Sequence, residues 1–240
     1  MSRTIVRMIT AVLEAQGLVK RYGDAVALDG VDLTVRVGES LAIMGASGSG
    51  KTTLLHCLAG IVVPDGGRVT LATANGRLDM GSISDEERSE LRRTTFGFVF
   101  QQGLLIPELT AVENVSLPML LAGASRREAE RQASAGLASL GLEGLDHRRL
   151  GQLSGGQAQR VAIARAQVMA PAVVFADEPT GALDSRTSME VLDALIASTT
   201  GRGRTLVVVT HESAVARRCD RTVHLSDGCL TGVDEHRSAS

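Results

Sequence analysis

The sequence predicts an α/β fold with a mostly parallel core sheet, because four short apolar runs alternate with stretches that suit helices. The runs are residues 41–44, 96–100, 172–176 and 206–209. Continuous Val, Leu and Phe runs are typical of parallel strands that are buried on both faces. Each run ends at polar side chains, and ligands of open α/β sheets bind beyond the carboxyl ends of the strands. We therefore expect these polar side chains to meet at one edge of the sheet, around one ligand.

The first run leads into a glycine-rich segment with the spacing of a phosphate-binding loop. The loop consists of Gly45, Ala46, Ser47, Gly48, Ser49, Gly50, Lys51, Thr52 and Thr53. Its glycines let backbone N–H groups curl around phosphate oxygens, where a Cβ atom would obstruct. Lys51 is expected to reach the β- and γ-phosphates, and the Thr52 hydroxyl to ligate Mg²⁺. The flanking strand and the following helix disfavour the alternative, a glycine-rich turn with an unrelated lysine.

The other three runs end in residue types that suit chemistry on a phosphate. Gln101 follows the second run, Asp177 and Glu178 follow the third, and His211 follows the fourth. Each has a plainer interpretation, namely a turn glutamine, two solvated acids and a structural histidine. The phosphate loop favours a functional interpretation of all four residues.

The stretch between the second and third runs, residues 103–170, is predicted to be mainly helical. Capping-box spacings begin at Ser125 and Ser154, and another begins at Ser84, before the second run;. A helical subdomain inserted into an α/β core accounts for this order. We predict one domain at 12–233 with flexible termini: an α/β core at 12–102 and 171–233, a helical subdomain at 103–170, and mobile ends at 1–11 and 234–240.

Composition limits the function classes. The chain has 240 residues, is 44% hydrophobic and carries a net charge of −2, which suffices for a core and disfavours nucleic-acid binding;. Its three cysteines, Cys57, Cys219 and Cys229, form neither a disulfide framework nor a zinc pattern, which indicates a reducing compartment;. No apolar run reaches the ~18 residues of a spanning helix, so work at a membrane would need another chain. Residues 1–15 do not read as a signal peptide, and Met8 is an alternative start;.

A second motif, Leu-Ser-Gly-Gly-Gln-Ala-Gln-Arg at 153–160, decides the family. Alone it would be a helix cap after a loop, but here it accompanies a phosphate loop. The sequence resembles the ABC-type ATPases, the nucleotide-binding subunits of ATP-binding-cassette transporters, over residues 12–233. The resemblance implies a P-loop NTPase cassette with an N-terminal antiparallel β subdomain and an inserted helical subdomain. It also implies ATP and Mg²⁺ as cofactors.

The resemblance assigns a role to each matching residue. Tyr22, the chain's one tyrosine, is similar to the aromatic residue that stacks on adenine, although a lone aromatic could also fill a core. Gln101 is similar to the glutamine that senses Mg²⁺ and the γ-phosphate. Asp177 is similar to the aspartate that holds Mg²⁺, and Glu178 is similar to the glutamate that acts as general base. His211 is similar to the histidine that contacts the γ-phosphate.

The resemblance also implies a second cassette. Two cassettes of this family sandwich two ATP molecules, and the signature serine of one closes on the γ-phosphate bound by the other. Ser154, Gly155, Gly156 and Gln157 would therefore serve a partner's nucleotide, and Asp184 would contact the partner. One phosphate loop and one signature per chain imply a dimer, most simply of identical chains.

The implied membrane partner is a permease, which would hold the cassette at the inner face of the cell membrane from the cytoplasm. The segments 96–101, 109–115 and 176–185 are similar to the lipoprotein-release and macrolide-export branch. The resemblance implies that the apolar segment 102–121 contributes a groove for the permease, with Leu105 and Ile106 as anchors;. Part of the segment must belong to the core, which is the alternative for each of its apolar residues. Two alternatives are a soluble ATPase acting on nucleic acid or ribosomes, and an inactive regulatory cassette. The single cassette and the net charge disfavour the first, and intact catalytic residues disfavour the second.

Replacing the Tyr22 ring tests the adenine assignment. Stacking of a base on an aromatic ring contributes about 1–3 kcal/mol, so Tyr22→Ala should raise the Kd for ATP about 5- to 150-fold. Tyr22→Phe should be nearly neutral, because the ring face makes the contact. A nucleotide titration measures both, and an unchanged Kd for Tyr22→Ala would remove Tyr22 from the site.

Overall fold

The computed structural model describes residues 10–236, which form ten strands and seven α-helices. The strands are β1 (Ala11–Tyr22), β2 (Ala25–Arg36), β3 (Ser40–Met44), β4 (Gly66–Thr73), β5 (Gly76–Asp79), β6 (Phe96–Phe100), β7 (Val173–Asp177), β8 (Thr205–Thr210), β9 (Arg221–Ser226) and β10 (Cys229–Glu235). The helices are α1 (Lys51–Leu58), α2 (Asp85–Thr94), α3 (Ala111–Leu121), α4 (Arg126–Ser139), α5 (Gly155–Gln167), α6 (Ser185–Thr199) and α7 (Ser213–Ala216). Short 3-10 turns lie at Leu150–Gln152 and Thr200–Arg202.

The strands form two sheets. An antiparallel sheet has the order β2-β1-β4-β5, and a mixed sheet has the order β10-β9-β3-β8-β7-β6. In the mixed sheet β9, β3, β8, β7 and β6 run parallel, and β10 alone is antiparallel to its neighbour. The four apolar runs of the sequence are the adjacent strands β3, β8, β7 and β6, so the expected parallel core and the antiparallel β subdomain are both confirmed.

Two apolar layers cover the mixed sheet, one on each face. Along β8, Val207 and Val209 pack into a cluster with the antiparallel sheet and α1. Their neighbours Leu206 and Val208 pack into a second cluster with α3, α5 and α6. Since successive side chains of a strand point to opposite faces, a continuous apolar run is what a strand covered on both sides requires.

The helical segment between β6 and β7 contains α3, α4 and α5. Ser154 caps α5 with a reciprocal capping box to Gln157, as the spacing predicts, and Ser84 caps α2 in the same way. Ser125 accepts the N–H of Glu128 at the start of α4, without the reciprocal bond. Thr110 starts α3 with a further capping box, which was not predicted from the sequence.

The ordered strands reach slightly beyond the predicted domain limits. Ala11 of β1 pairs with Arg36 of β2, and Asp234 and Glu235 of β10 pair with β9. Ala11, Asp234 and Glu235 therefore belong to sheets and not to flexible termini. Sheet hydrogen bonds, which sequence polarity does not reveal, account for the difference. Thr10 and His236 are also tied to the fold, since the Thr10 carbonyl accepts the Val37 N–H and the His236 N–H donates to the Asp220 carbonyl. Residues 1–9 and 237–240 lie outside the described residues. Between residues 10 and 236, no helix has both the length and the apolar character needed to span a bilayer.

The three cysteines differ sharply in environment. Cys57 and Cys219 are buried, and burial raises the pKa of their thiols to about 11 and to about 12 respectively. Cys229 is exposed at the start of β10. All three are free thiols.

A buried ion pair joins β9 to the turn before β3. The Arg221 guanidinium donates to both Glu39 carboxylate oxygens, at 2.7 and 3.1 Å, and each side chain is only 7% exposed. Arg221 also donates to the Thr34 carbonyl, so the same side chain reaches into β2. Removing one partner of such a pair leaves an uncompensated buried charge.

Arg221→Ala should therefore lower the free energy of unfolding by about 3–5 kcal/mol. The matched control is Arg36→Ala, because Arg36 forms an exposed ion pair with Glu235. Exposed pairs contribute about 0–1 kcal/mol. Urea unfolding followed by circular dichroism measures both variants, and equal losses would contradict a special role for the buried pair.

Candidate nucleotide-binding site

A cleft of about 640 Å³ opens at the carboxyl ends of β3, β7 and β8. Its lining residues are Ala27, Ala46, Ser47, Gly48, Gly50, Lys51, Thr52, Thr53, Glu178 and His211. The polar ends of three predicted strands therefore share one cleft. Ala27, from β2, is the lining residue that sequence reasoning missed, because its contribution depends on how the antiparallel sheet packs against the loop.

The tight path of the phosphate-binding loop explains two of its glycines. A Cβ atom on Gly45 would lie 2.2 Å from the Leu225 carbonyl oxygen. A Cβ atom on Gly50 would lie 2.2 Å from the Ala27 carbonyl oxygen, and Gly50 has a φ of 101°. Backbone from β9 and β2 thus presses on the loop from outside, and only glycine fits at these positions.

Helix α1 begins at Lys51, directly after the loop. The Lys51 side chain is buried, and its ammonium donates a hydrogen bond of 2.7 Å to the Ala46 carbonyl. This bond folds the side chain back over the loop, whose N–H groups and helix N-terminus form an anion-binding arrangement. The buried Ser49 hydroxyl has no hydrogen-bond partner among the described residues.

Thr52 and Asp177 place two oxygen ligands side by side. The Thr52 hydroxyl donates to Asp177 Oδ2 at 3.2 Å. Burial raises the pKa of the Asp177 carboxyl above its usual value, and the Thr52 hydrogen bond opposes that shift. Mg²⁺ is usually held by one or two such protein oxygens together with phosphate and water oxygens. The pair fits Mg²⁺, and within residues 10–236 no group of three or more His, Cys, Asp or Glu side chains forms a protein-only metal site.

Glu178 and His211 form a dyad across the ends of β7 and β8. His211 Nδ1 lies 3.0 Å from Glu178 Oε1. Glu178 has a φ of +45°, a conformation that costs a non-glycine residue about 1–2 kcal/mol;. Two backbone hydrogen bonds hold it there, from its own N–H to the Val209 carbonyl and from the Gly181 N–H to its carbonyl. Strain of this kind at a cleft is a common mark of a functional residue.

Gln101 does not line the cleft. Its side chain lies against Gly181, where a Cβ atom would come within 2.9 Å of Gln101 Nε2. This exposed side chain thus contacts the loop that follows Glu178. The expected role of Gln101, sensing Mg²⁺ and the γ-phosphate, stays a prediction.

The signature residues lie away from the cleft of their own chain. Ser154 is exposed and accepts the Gln157 N–H as the cap of α5. Gly156 packs against α6, because a Cβ atom there would lie 2.5 Å from Thr187 Cγ2. Asp184 caps α6 by accepting the N–H groups of Arg186 and Thr187, and the hydrogen bonds to Thr187 hold the pKa of its carboxyl below the usual value. The two helices therefore present their capped N-termini side by side.

Tyr22 lies at the end of β1 with its side chain accessible. The residue is 52% exposed, and the Lys20 ammonium lies 5.6 Å from the ring centroid. The structure thus excludes the alternative in which Tyr22 fills the core, although the ring is not part of the cleft lining.

A second cavity, of about 540 Å³, lies beside edge strand β6 and is called the lateral groove here. Its lining residues are Glu90, Arg92, Arg93, Thr94, Phe96, Gly97, Phe98, Phe100, Leu117, Pro118, Leu121, Ala122, Arg165, Ala166 and Met169. The expected anchors Leu105 and Ile106 are not among them. Leu105 packs against the core beneath the helices, and the groove takes Leu117 and Leu121 from the end of the predicted segment.

Comparisons with known proteins agree with this geometry. The family model described as "ABC transporter" matches residues 28–181. The lipoprotein-releasing system ATP-binding protein LolD of Legionella pneumophila is 44% identical over 223 residues, covering 91% of this chain and 96% of the relative. LolD of Anaeromyxobacter dehalogenans is 46% identical over 235 residues, covering 95% and 96%.

Solved structures of ATP-binding cassettes also match this chain. A dimeric ATP-binding cassette in a post-hydrolysis state, bound to ADP and Pi, is 38% identical and superposes with a TM-score of 0.82. The match covers 94% of this chain and 99% of that one. A dimeric bacterial ABC transporter cassette, also 38% identical, has a TM-score of 0.84.

Proposed function

This chain belongs to the ABC transporter family as an ATP-binding, ATP-hydrolysing subunit, and we propose that the cleft described above binds and hydrolyses ATP with Mg²⁺. The observation that best supports this proposal is that Lys51, Thr52, Glu178 and His211 line the same cleft. The loop N–H groups and the N-terminus of α1 would bind the phosphates, and Lys51 would leave Ala46 for the β- and γ-phosphates.

Thr52 and Asp177 would hold Mg²⁺, with Gln101 as a third ligand. The ion would neutralise charge on the phosphate oxygens during phosphoryl transfer. Asp177 is suited to this task because burial already disfavours its unpaired negative charge, so a cation beside it is favourable;. Thr52 is oriented by its hydrogen bond to the same carboxylate.

Glu178 would accept a proton from the attacking water as general base. The His211 imidazole at 3.0 Å fixes the direction of the carboxylate, and its position at the mouth of the cleft suits contact with the γ-phosphate. The left-handed backbone of Glu178 turns its side chain out of β7 and towards the cleft. Proton removal by a positioned base contributes about 10²- to 10⁴-fold in rate.

A second copy of the chain would complete the site. Ser154 and Gly155 at the start of α5 and Asp184 at the start of α6 are exposed and lie off their own cleft. They would meet a partner's nucleotide together with Gln157 and the backbone of Gly156, whose Cα packs against α6. Two relatives of solved structure are dimers. The same helix-end capture of phosphate would then act from both sides of each ATP.

Two substitutions test the catalytic assignment. Lys51→Ala should weaken ATP binding, whereas Glu178→Gln should keep binding, lower hydrolysis by about 10²- to 10⁴-fold, and leave an ATP-bound dimer. Size-exclusion chromatography with ATP and Mg²⁺ detects the dimer, and phosphate release measures the rate. Hydrolysis by Glu178→Gln at the unmodified rate would show that another group is the base.

We further propose that the lateral groove receives an apolar helix of a membrane permease, and that the complex works in lipoprotein release. The proposed task rests on the name that the relatives carry. Phe98, Phe100, Leu117 and Leu121 offer apolar contacts, and Leu121 is 76% exposed. An exposed apolar groove is the usual receptor for an amphipathic helix. This would hold the chain at the inner face of the membrane without direct lipid contact.

Leu121→Glu should leave ATP binding and basal hydrolysis unchanged but reduce co-purification with a co-expressed permease at least about 10-fold. A tenfold loss of affinity corresponds to about 1.4 kcal/mol, and burying an unpaired charge in the interface costs more than that. Val37→Glu is the matched control, because Val37 is 55% exposed and lies outside the groove. Equal retention of the permease by both variants would place the docking surface elsewhere.

A further inference from the structure

The backbone directly after Gln101 is strained. Gly103 has a φ of +65°, and the next residue, Leu104, has a φ of +48°. The left-handed conformation costs a leucine about 1–2 kcal/mol, and it persists only where surrounding contacts enforce it. The Leu104 side chain does not supply those contacts, since it is 58% exposed.

Two local backbone hydrogen bonds close this turn, from the Gly103 N–H to the Phe100 carbonyl and from the Leu104 N–H to the Gln102 carbonyl. Arg165 of α5 holds the strained pair from outside the turn. One terminal nitrogen of its guanidinium donates to the Gly103 carbonyl at 2.7 Å, and the other donates to the Leu104 carbonyl at 2.8 Å. Arg165 is partly buried, and burial lowers the pKa of its guanidinium. Within residues 10–236, its side-chain hydrogen bonds go to these two backbone oxygens.

The same helix holds the segment at a second point. Gln159, buried on α5, donates to the Phe100 carbonyl at 2.9 Å. A Cβ atom on Gly103 would lie 3.3 Å from both Ala162 Cβ and Gln159 Oε1, so the segment lies directly on α5. Gln101 therefore projects from a backbone fixed on both sides, at Phe100 and at Gly103.

We propose that Arg165 is a positioning residue for Mg²⁺-dependent nucleotide binding, acting through Gln101 by clamping the left-handed backbone at Gly103 and Leu104. This inference rests on the proposed role of Gln101 as an Mg²⁺ ligand. Because Arg165 also lines the lateral groove, the clamp joins that groove to the nucleotide site. Without it, Leu104 would relax to a right-handed or extended conformation and redirect Gln101.

The first test uses the nucleotide-free chain. Arg165→Gln should raise amide hydrogen exchange of the 101–106 segment. Arg204→Gln is the matched control, because Arg204 is also desolvated and donates to a backbone carbonyl, that of Gln167. Unchanged exchange at 101–106 in Arg165→Gln would overturn the clamp.

The second test measures the gain in affinity for a fluorescent ATP analogue when EDTA is replaced by Mg²⁺. Loss of a residue that orients a metal ligand typically costs about 10- to 100-fold, so Arg165→Gln should reduce the gain by at least about 10-fold. Arg165→Lys should not restore it, because one ammonium lacks the two-nitrogen fork. Adding Leu104→Gly to Arg165→Gln should restore much of it, since glycine adopts the left-handed conformation without strain. Failure of this rescue would overturn the argument from strain.

The Gln101→Ala background separates this inference from the proposed function. If Gln101→Ala leaves the Mg²⁺ gain unchanged, the assignment of Gln101 is wrong and the route from Arg165 to Mg²⁺ falls with it. If Gln101→Ala reduces the Mg²⁺-dependent gain in affinity, adding Arg165→Gln to that variant should cause no further loss. A further loss in the double variant would show that Arg165 does not act through Gln101, which overturns this inference but not the proposed function.

Discussion

The register of three parallel strands is the constraint on which the site depends. Met44 of β3 lies opposite Thr210 of β8, and Asp177 of β7 lies opposite Val209 of the same strand. This register brings the phosphate-binding loop, the acidic pair and His211 to one level of the sheet edge. The hydrogen bond from the Glu178 N–H to the Val209 carbonyl continues it one residue beyond β7. A slip of one residue would reverse the faces of the strand and separate Glu178 from His211.

Much of this arrangement was predictable because it is encoded locally. The apolar runs that form β3, β6, β7 and β8 are continuous in sequence, and the phosphate loop lies between a strand and a helix, so strand order was the principal unknown. The antiparallel sheet followed only from the family resemblance. Strands β9 and β10 were not predicted from the sequence. They are short, and alternation of apolar and polar residues over a few positions is a weaker signal than a continuous apolar run.

Two placements depend on contacts between distant segments. The Gln101 side chain does not line the cleft but lies on Gly181, 80 positions away in the chain, and its role towards Mg²⁺ stays a prediction. Leu105, one of the two expected groove anchors, is half-buried and packs against the core. An apolar residue near a functional loop can serve either purpose, and only the fold decides which. The roles of Tyr22, Ser154 and Asp184 remain predictions, since they concern a ligand and a second copy.

The hairpin formed by β9 and β10 contacts the phosphate-binding loop through its turn. The Gly228 N–H donates to the Ser49 carbonyl at 3.1 Å, and the Asp29 N–H donates to the Gly228 carbonyl at 2.9 Å. The next residue, Cys229, carries the one exposed thiol, while the other two are buried. The unmodified chain therefore has a natural attachment point for an environment-sensitive dye, one residue from a backbone contact to the phosphate loop. Rearrangement of that loop could be followed optically in a protein that has no tryptophan to report it.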